Sequence, residues 1–284
     1  MPVTQQQSRA RSLATRGASP GPRARTNARS VLSKVPEITI WFWIIKVLAT
    51  TVGETAADYL AVDLNLGLTN TTYVMAGVLV AALIIQFRSP RYVPGIYWVA
   101  VVAISVVGTL ITDKLVDDFG ISLEATTVAF VVALAATFAA WYASERTLSI
   151  HSIHTPKREA FYWSAILFTF ALGTAAGDLI AESLNLGYWK SALLFAAAIG
   201  IVAVTQLRLS ANAVLTFWIA YILTRPLGAS LGDYMSQDRK DGGLGLGTTG
   251  TSAIFLLTIL GVVIYLSVTR KDQVPTSELT PADT

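Results

Sequence analysis

Long apolar runs alternate with short polar breaks along most of the chain, which is the pattern of a protein that crosses a membrane repeatedly. A helix that spans a bilayer needs about 20 consecutive, mostly apolar residues, within a range of about 17–25. Eight runs satisfy this requirement, so the pattern predicts an all-α membrane protein with eight transmembrane helices. The predicted spans are residues 38–60, 71–87, 93–112, 125–143, 161–181, 191–207, 213–232 and 251–268.

One spacing of residues recurs four times within these spans. A Trp is followed by a Gly ten residues later and by an Asp five residues after the Gly. The copies begin 55, 65 and 55 residues apart, and "LNLG" occurs both at 64–67 and at 184–187. This pattern indicates that a two-helix unit was doubled and then doubled again. The copies are Trp43/Gly53/Asp58, Trp98/Gly108/Asp113, Trp163/Gly173/Asp178 and Trp218/Gly228/Asp233.

The segment "KVPEITIWFWIIKVLATTVGETAADYL" at residues 34–60, together with the four Trp registers, resembles a bacterial membrane-protein family of unknown function. Members of that family are built of four tandem repeats, each with two transmembrane segments and a characteristic tryptophan. The resemblance covers about residues 34–270. It implies the architecture, whereas the activity has to be inferred from the residues themselves.

The repeats are parallel, because each contains two helices and therefore starts on the same side of the membrane. Parallel repeats imply a pseudo-symmetry axis along the membrane normal. We predict that the first helices of the four repeats surround this axis and that the second helices face lipid. The predicted organisation is a disordered basic tail (1–33), a membrane domain (34–270) and a short tail (271–284). The repeats within the domain are predicted at about 34–92, 93–150, 156–210 and 211–270.

Composition excludes several classes of function. Hydrophobic residues make up 53% of the chain and charged residues only 14%, against roughly 25% charged in ordinary soluble domains. The absence of cysteine excludes disulfides and thiolate metal sites. No nucleophile–base pair and no carboxylate–histidine cluster is recognisable, so we predict that the protein is not an enzyme. We also predict no cofactor and no nucleic-acid partner.

The distribution of basic residues predicts the orientation. Residues 1–33 contain six arginines and no acid, which indicates a basic cytoplasmic tail, although a transit peptide has a similar composition. With both termini inside, 15 of the 21 Lys and Arg residues lie on the cytoplasmic side and four in outer loops. The positive-inside rule therefore predicts cytoplasmic N- and C-termini in the cell (inner) membrane.

The first predicted span carries a polar stripe. On a helical projection with about 100° per residue, Lys46, Thr50, Gly53, Glu54 and Asp58 fall within one arc of about 140°. Polar groups within a membrane face the bundle interior or a water-filled cavity, because lipid cannot solvate them. The stripe therefore indicates the side of the helix that faces the axis.

The repeat signature has structural and functional interpretations. The Trp residues fit either an aromatic belt at the membrane surface or a role inside the bundle, and Gly in mid-span typically permits close helix packing. The Asp residues fall near the outer ends of their helices, where they fit a solvated residue, a cap or a cation ligand. An acid at a helix C-terminus is disfavoured by the helix dipole and needs compensation.

Three charged residues break the fourfold pattern. Lys46 and Glu54 occur only in the first copy, and Arg225 only in the fourth. Arg225 and Glu54 fall at nearby levels, so we predict that they pair, either as a static bridge or as a gate that opens when a cation or proton competes for Glu54. The candidate transport or ion-pair residues are Glu54, Asp58, Lys46, Arg225, Asp113, Asp178 and Asp233.

These features favour a transporter or channel for a small solute, with a cation as the favoured solute. Oxygen ligands alone suit a hard ion such as Mn²⁺ or Mg²⁺, and Glu54 and Asp58 are the candidate metal ligands. The alternative is a scaffold or sensor in which the polar stripe only packs helices. The predicted partners are the lipid bilayer and a small cation or other solute, and the sequence leaves the oligomeric state open.

Overall fold

The computed structural model describes residues 33–272 and is built of helices without strands in that range. Eight of its helices are long and apolar enough to cross a membrane, which confirms the predicted number. The N-terminal tail and residues 273–284 of the predicted C-terminal tail lie outside the described residues, apart from Ser33. The helices are α1 (Ile40–Asp58), α2 (Gly67–Arg88), α3 (Pro94–Asp113), α4 (Leu123–Glu145), α5 (Pro156–Asp178), α6 (Tyr188–Leu209), α7 (Ala213–Ser236) and α8 (Gly247–Thr269).

Local chemistry sets several helix boundaries. Pro94 and Pro156 occupy the first helical position of α3 and α5, where the missing N–H has no partner in any helix. The side chain of Asn212 accepts hydrogen bonds from the first backbone amides of α7. At the opposite ends, Arg146 and Arg270 take left-handed backbone conformations that stop α4 and α8.

The first helices of the repeats form a closed ring. In that ring α1 packs on α3, α3 on α5, α5 on α7, and α7 back on α1. More than half of the apolar window of each ring helix is buried, whereas at most a third is buried in α2, α4, α6 and α8. The prediction that the first helices surround an axis and the second helices lie outside is therefore confirmed.

Each outer helix packs against the ring helix of the following repeat. Thus α2 packs on α3, α4 on α5 and α6 on α7, and α8 closes the circle by packing on α1. Every repeat therefore packs against the next repeat through both its ring helix and its outer helix. The exposed faces of the outer helices are apolar, as lipid contact requires. They carry residues such as Val80, Val132, Ile201 and Leu257, each more than half exposed.

The four repeat glycines hold the ring helices close together. A Cβ atom added to Gly173 would lie 2.2 Å from Cγ of Arg225, and one added to Gly108 would lie 2.7 Å from Cβ of Phe170. Gly53 faces Ser105 and Gly228 faces Thr50 in the same way. The residues that the four glycines contact are themselves equivalent in the repeat. Each lies three positions before the glycine of the next repeat, so the same contact occurs four times around the ring. This agrees with the packing interpretation of the glycines.

The four tryptophans belong to an aromatic collar formed by contacts between neighbouring repeats. Each Trp is preceded by a Phe or Tyr, and each of these contacts the Trp of the next repeat. The ring centroids are 5.7 Å apart for Phe42–Trp98, 5.5 Å for Tyr97–Trp163, 6.3 Å for Tyr162–Trp218 and 5.7 Å for Phe217–Trp43. We call these eight residues the aromatic collar. It packs the ring at the level of the tryptophans, and the hydroxyls of Tyr97 and Tyr162 lie 2.5 Å apart within it.

Both ends of the described chain lie at one end of the bundle, here called the terminal end. The amide of Glu37 donates to the carbonyl of Asp272 at 3.0 Å. Nearby, Nζ of Lys34 forms a buried ion pair with Glu159 at 2.7 Å. The placement of both ends on one side agrees with an even number of spans.

Asp272 makes the stability of this end dependent on pH. Its buried carboxyl accepts a hydrogen bond from Tyr92, and burial raises its pKa above the ordinary value, an effect that this hydrogen bond partly offsets. Because the protonated form is favoured in the folded state, stability is expected to fall as the pH rises through the folded-state pKa. Thermal unfolding in detergent between about pH 4 and about pH 8 measures this. Asp272→Asn should flatten the curve, and an unchanged curve would assign the dependence to other groups.

Candidate functional site

Each repeat aspartate is followed by about one further turn of helix. α-Helical hydrogen bonding stops at Asp58, Asp113 and Asp178, but a π-helical turn follows in each case, and α7 continues three residues beyond Asp233. These acids therefore lie near the C-terminal ends of their α-helices, and the π-helical turns extend three of the four helices by about one more turn. The π-helical segments are Tyr59–Asp63, Lys114–Asp118 and Leu179–Ser183.

The four repeat aspartates surround one cavity, and their end of the bundle is here called the carboxylate end. Glu54 contributes to the lining, as does the exposed Asp117. We call this space the acidic cavity. Of the described residues that line it, six are carboxylates and none is basic. The lining is formed by Glu54, Asp58, Ala61, Val62, Leu68, Thr112, Asp113, Val116, Asp117, Leu123, Asp178, Asp233 and Gln237.

The size of the acidic cavity suits a small hydrated ion. Its volume is about 260 Å³. A water molecule occupies about 30 Å³ in the liquid, so the space holds roughly eight waters or an ion with part of its hydration shell. The lining runs from buried Glu54 to exposed Val62 and Asp117, so the cavity opens at the carboxylate end.

Three carboxylates converge closely at the buried part of the cavity. One oxygen from each of Glu54, Asp178 and Asp233 lies within 4.8 Å of the other two. They come from α1, α5 and α7, three of the four ring helices. Carboxylate oxygens at this spacing suit a hard divalent cation, which prefers oxygen ligands. Asp58, one of the two predicted metal ligands, lies on the cavity wall but does not belong to this trio.

Arg225 occupies the ring directly beneath the acidic cavity. Its Nη2 lies 3.0 Å from Oε2 of Glu54 and donates to the hydroxyls of Thr109 and Thr174, the latter at 2.6 Å. One guanidinium therefore connects α7 to α1, α3 and α5. Glu54, Thr109 and Thr174 are equivalent, since each follows the glycine of its repeat. Arg225 is fully buried, and the predicted pair with Glu54 is present in the structure.

Lys46 lies on the same side of α1 as Glu54, but nearer the terminal end. Eight residues separate the two, which corresponds to about 12 Å along the helix. Its Nζ lies 3.9 Å from the ring centroid of Phe170 and 4.3 Å from that of Tyr221. The side chain is fully buried, and Nζ forms no hydrogen bond with any residue in the range 33–272. Lys46 is thus separate from the acidic cavity.

Five of the seven candidate residues line the acidic cavity, and a sixth, Arg225, pairs with Glu54 directly beneath it. Lys46 lies outside this group. The analysis of the sequence missed the threonines that bind Arg225 and the aromatic residue preceding each Trp. Both had a signal in the repeat register: Thr109 and Thr174 occupy the position of Glu54, and an aromatic residue precedes the Trp in all four copies. Lys34 and Glu159 had no such signal, because their pairing joins positions that are not equivalent.

Comparison with known proteins identifies a family and no individual relative. Four successive segments, residues 41–92, 96–147, 161–212 and 216–272, match the family model described as Repeat of Unknown Function (DUF347). These segments correspond to the four predicted repeats and cover most of the chain. Comparison with curated proteins and with solved structures gives no significant match.

Proposed function

The chain belongs to the DUF347 repeat family, and we propose that it is a multi-pass membrane transporter that moves a small, hard divalent cation through the centre of its repeat ring. The observation that carries the proposal is the convergence of Glu54 and the four repeat aspartates on one cavity. All four repeats of the chain contribute residues to the lining of this cavity. The substrate therefore binds where the repeats meet, as in other transporters assembled from repeats.

Electrostatics supports a cation over an anion or a neutral solute. Six carboxylates with no basic residue in the described lining concentrate cations at the mouth of the cavity. Glu54, Asp178 and Asp233 then offer an oxygen-only set of ligands at the buried part. Oxygen ligands select hard ions such as Mn²⁺ and Mg²⁺ over softer metals.

Arg225 supplies the gate in this proposal. A cation that binds Glu54 competes with the guanidinium for the same carboxylate, whose Oε2 now lies 3.0 Å from Nη2. Loss of that pair loosens the one side chain that binds three other ring helices at this level. Cation binding is thereby linked to the packing of the ring beneath it, which a carrier requires.

A scaffold without transport is the second candidate, because the aromatic collar fills the ring with side chains below Arg225. The two candidates differ in what neutralising a cavity carboxylate does. A scaffold keeps its role when Asp178 becomes Asn, whereas a transporter loses cation movement.

The test is cation uptake by proteoliposomes against a panel of H⁺, Na⁺, K⁺, Mg²⁺ and Mn²⁺. We expect Mn²⁺ or Mg²⁺ flux in the wild type and a loss of at least about tenfold in Glu54→Gln and Asp178→Asn, since each removes one ligand charge. Asp178 serves as the second variant because it is only half-buried and belongs to the carboxylate trio, whereas Arg225 forms its ion pair with Glu54.

Asp238→Asn is the matched control for this flux assay. Asp238 is an exposed carboxylate at the same end of the bundle but outside the cavity lining. Its loss should leave the flux at the wild-type rate. If well-folded wild-type protein moves none of the ions, or if the Asp178 variant transports as fast as the wild type, the cation proposal is wrong.

A further inference from the structure

Lys46 is a buried basic group that the acidic cavity does not use. It belongs to the ring helix α1, and its ammonium lies against the rings of Phe170 from α5 and Tyr221 from α7. Among the described residues no carboxylate approaches it and no acceptor takes its hydrogen bonds. A charged amine in such a place is costly, because it has lost water and gained neither a counter-ion nor an acceptor.

The two aromatic faces make the charged state of Lys46 accessible nonetheless. An ammonium within about 6 Å of a ring centroid is attracted by the π-system, and Lys46 has two such rings. Burial favours the neutral amine and the rings favour the ammonium. A group held between these opposing effects is suited to exchanging a proton rather than to holding one charge state permanently.

Lys46 and Arg225 share one aromatic neighbour. The Cζ atom of Arg225 lies 5.7 Å from the centroid of Phe170, the ring that Nζ of Lys46 contacts at 3.9 Å. At present Glu54 balances the charge of Arg225. If Glu54 turned to another cation, the unbalanced guanidinium would repel a proton on Lys46 across this low-dielectric space.

We propose that Lys46 is the proton site of a cation/proton exchanger, loaded with a proton only while Arg225 is paired with Glu54. The proposal rests on the proposed function and assigns its coupling ion. Cation binding at Glu54 releases one proton from Nζ, converting the ammonium to the amine. Cation release restores the Arg225–Glu54 pair and allows the amine to take up one proton again. Cation and proton therefore exclude each other, which is the condition for exchange.

Three tyrosine hydroxyls lie in the ring near Lys46 and toward the terminal end, and none of them is hydrogen-bonded to its Nζ in the described range. The hydroxyl of Tyr221 belongs to a ring that Lys46 contacts, and it is buried without a hydrogen-bond partner in the described range. The paired hydroxyls of Tyr97 and Tyr162 follow in the aromatic collar, about one turn nearer the terminal end. The groups that face Lys46 are thus Arg225 and Tyr221 from α7, with Tyr97 from α3 and Tyr162 from α5 beyond them. The outer helix α8, which also packs on α1, contains no charged residue.

The experiment compares two modes of Mn²⁺ movement in proteoliposomes. The first is exchange of radioactive for unlabelled Mn²⁺ at equal pH, which needs no proton movement. The second is accumulation of Mn²⁺ driven by a pH gradient, with a dye in the lumen that reports the pH. In the wild type we expect both modes, and we expect the lumen to become more alkaline as Mn²⁺ enters.

Two variants of Lys46 test separately whether its positive charge and its exchangeable proton are needed. Lys46→Met has no proton to exchange, and Lys46→Arg keeps the charge but does not release its proton. Both are expected to lose gradient-driven accumulation by at least tenfold. Mn²⁺ exchange at equal pH should remain measurable in Lys46→Met, whereas Lys46→Arg should lose it as well, because its permanent charge excludes the cation. Lys114→Met, which removes an exposed lysine that is bound to Asp118, should behave like the wild type in both modes.

The outcomes distinguish this proposal from the one on which it rests. Absence of both Mn²⁺ and Mg²⁺ movement in the wild type overturns the transport proposal itself. Mn²⁺ movement without a pH change in the lumen leaves transport intact and overturns the exchanger. Wild-type accumulation in Lys46→Met, or loss of both modes in a Lys46→Met protein that unfolds at the wild-type temperature, overturns the assignment to Lys46.

Discussion

Replacing Arg225 with methionine is expected to lower the free energy of unfolding by about 3–5 kcal/mol, the range for breaking a buried ion pair from one side. The reason is that Glu54 remains buried with its charge while its cationic partner, 3.0 Å away in the wild type, is gone. The hydroxyls of Thr109 and Thr174 lose the same donor. Unfolding of the purified protein in detergent micelles, followed by circular dichroism, measures the loss.

A second substitution tests whether the cost comes from the unpaired charge. In Arg225→Met/Glu54→Gln neither charge remains, so we expect the double variant to recover at least half of the stability that Arg225→Met lost. The control is Lys114→Met, which breaks an exposed pair with Asp118 and should cost at most about 1 kcal/mol. If the losses of the two single variants simply add in the double variant, the two residues are not coupled.

Gly173→Ala is expected to destabilise the protein by about 3 kcal/mol, because overpacking of a tight contact forces backbone movement. The new Cβ atom would lie 2.2 Å from Cγ and 2.4 Å from Cβ of Arg225, and 3.0 Å from Cδ of Pro226. These atoms are close to the backbone of α7, so no side-chain rotation alone removes the overlap. The helices α5 and α7 must separate, and the ring opens at that contact.

Gly200→Ala provides the matched control for this contact. Gly200 also lies within a membrane helix, but a Cβ atom there meets nothing within 4 Å. Its replacement should be neutral or stabilising by up to about 1 kcal/mol, the difference in helix propensity. The same detergent unfolding assay compares the two variants. Equal stability of Gly173→Ala and Gly200→Ala would contradict the close approach of α5 and α7.

The sequence alone predicts the parts of the fold that depend on local pattern. Apolar runs of about 20 residues identify the eight helices, because each span must satisfy its own length and hydrophobicity. The Trp–Gly–Asp register identifies the repeats and, through the polar stripe around Gly53, the side of α1 that faces the axis. These inferences need no knowledge of which helices are neighbours.

Which helices pack together was not predictable in the same way. An outer helix such as α2 is apolar on the side that meets α3 and on the side that meets lipid, so hydropathy does not reveal its partner. The π-helical turns after Asp58, Asp113 and Asp178 likewise have no pattern in the sequence.

The candidate site was predicted as a set of residues but not as an arrangement. The uniqueness of Glu54 and Arg225 among four copies was enough to predict their pairing. Asp58 was predicted as a metal ligand because it lies one turn from Glu54 on the same helix. The structure instead brings an oxygen of Glu54 within 4.8 Å of one from Asp178 and one from Asp233, which lie on two other helices of the ring.

The packing of α8 on α1 has a consequence for the order in which the chain is connected. The last repeat packs on the first repeat in the same way as each earlier repeat packs on the next one. The four repeats therefore form a closed ring, and three of the four junctions between them are crossed by the polypeptide. At the fourth junction the backbones of Glu37 and Asp272 are hydrogen-bonded, so the two ends of the described range are adjacent. Joining them and opening another junction at the terminal end would preserve every contact between repeats. The present starting point is one of four topologically equivalent choices, and a circular permutant that begins with the second repeat belongs to the same architecture.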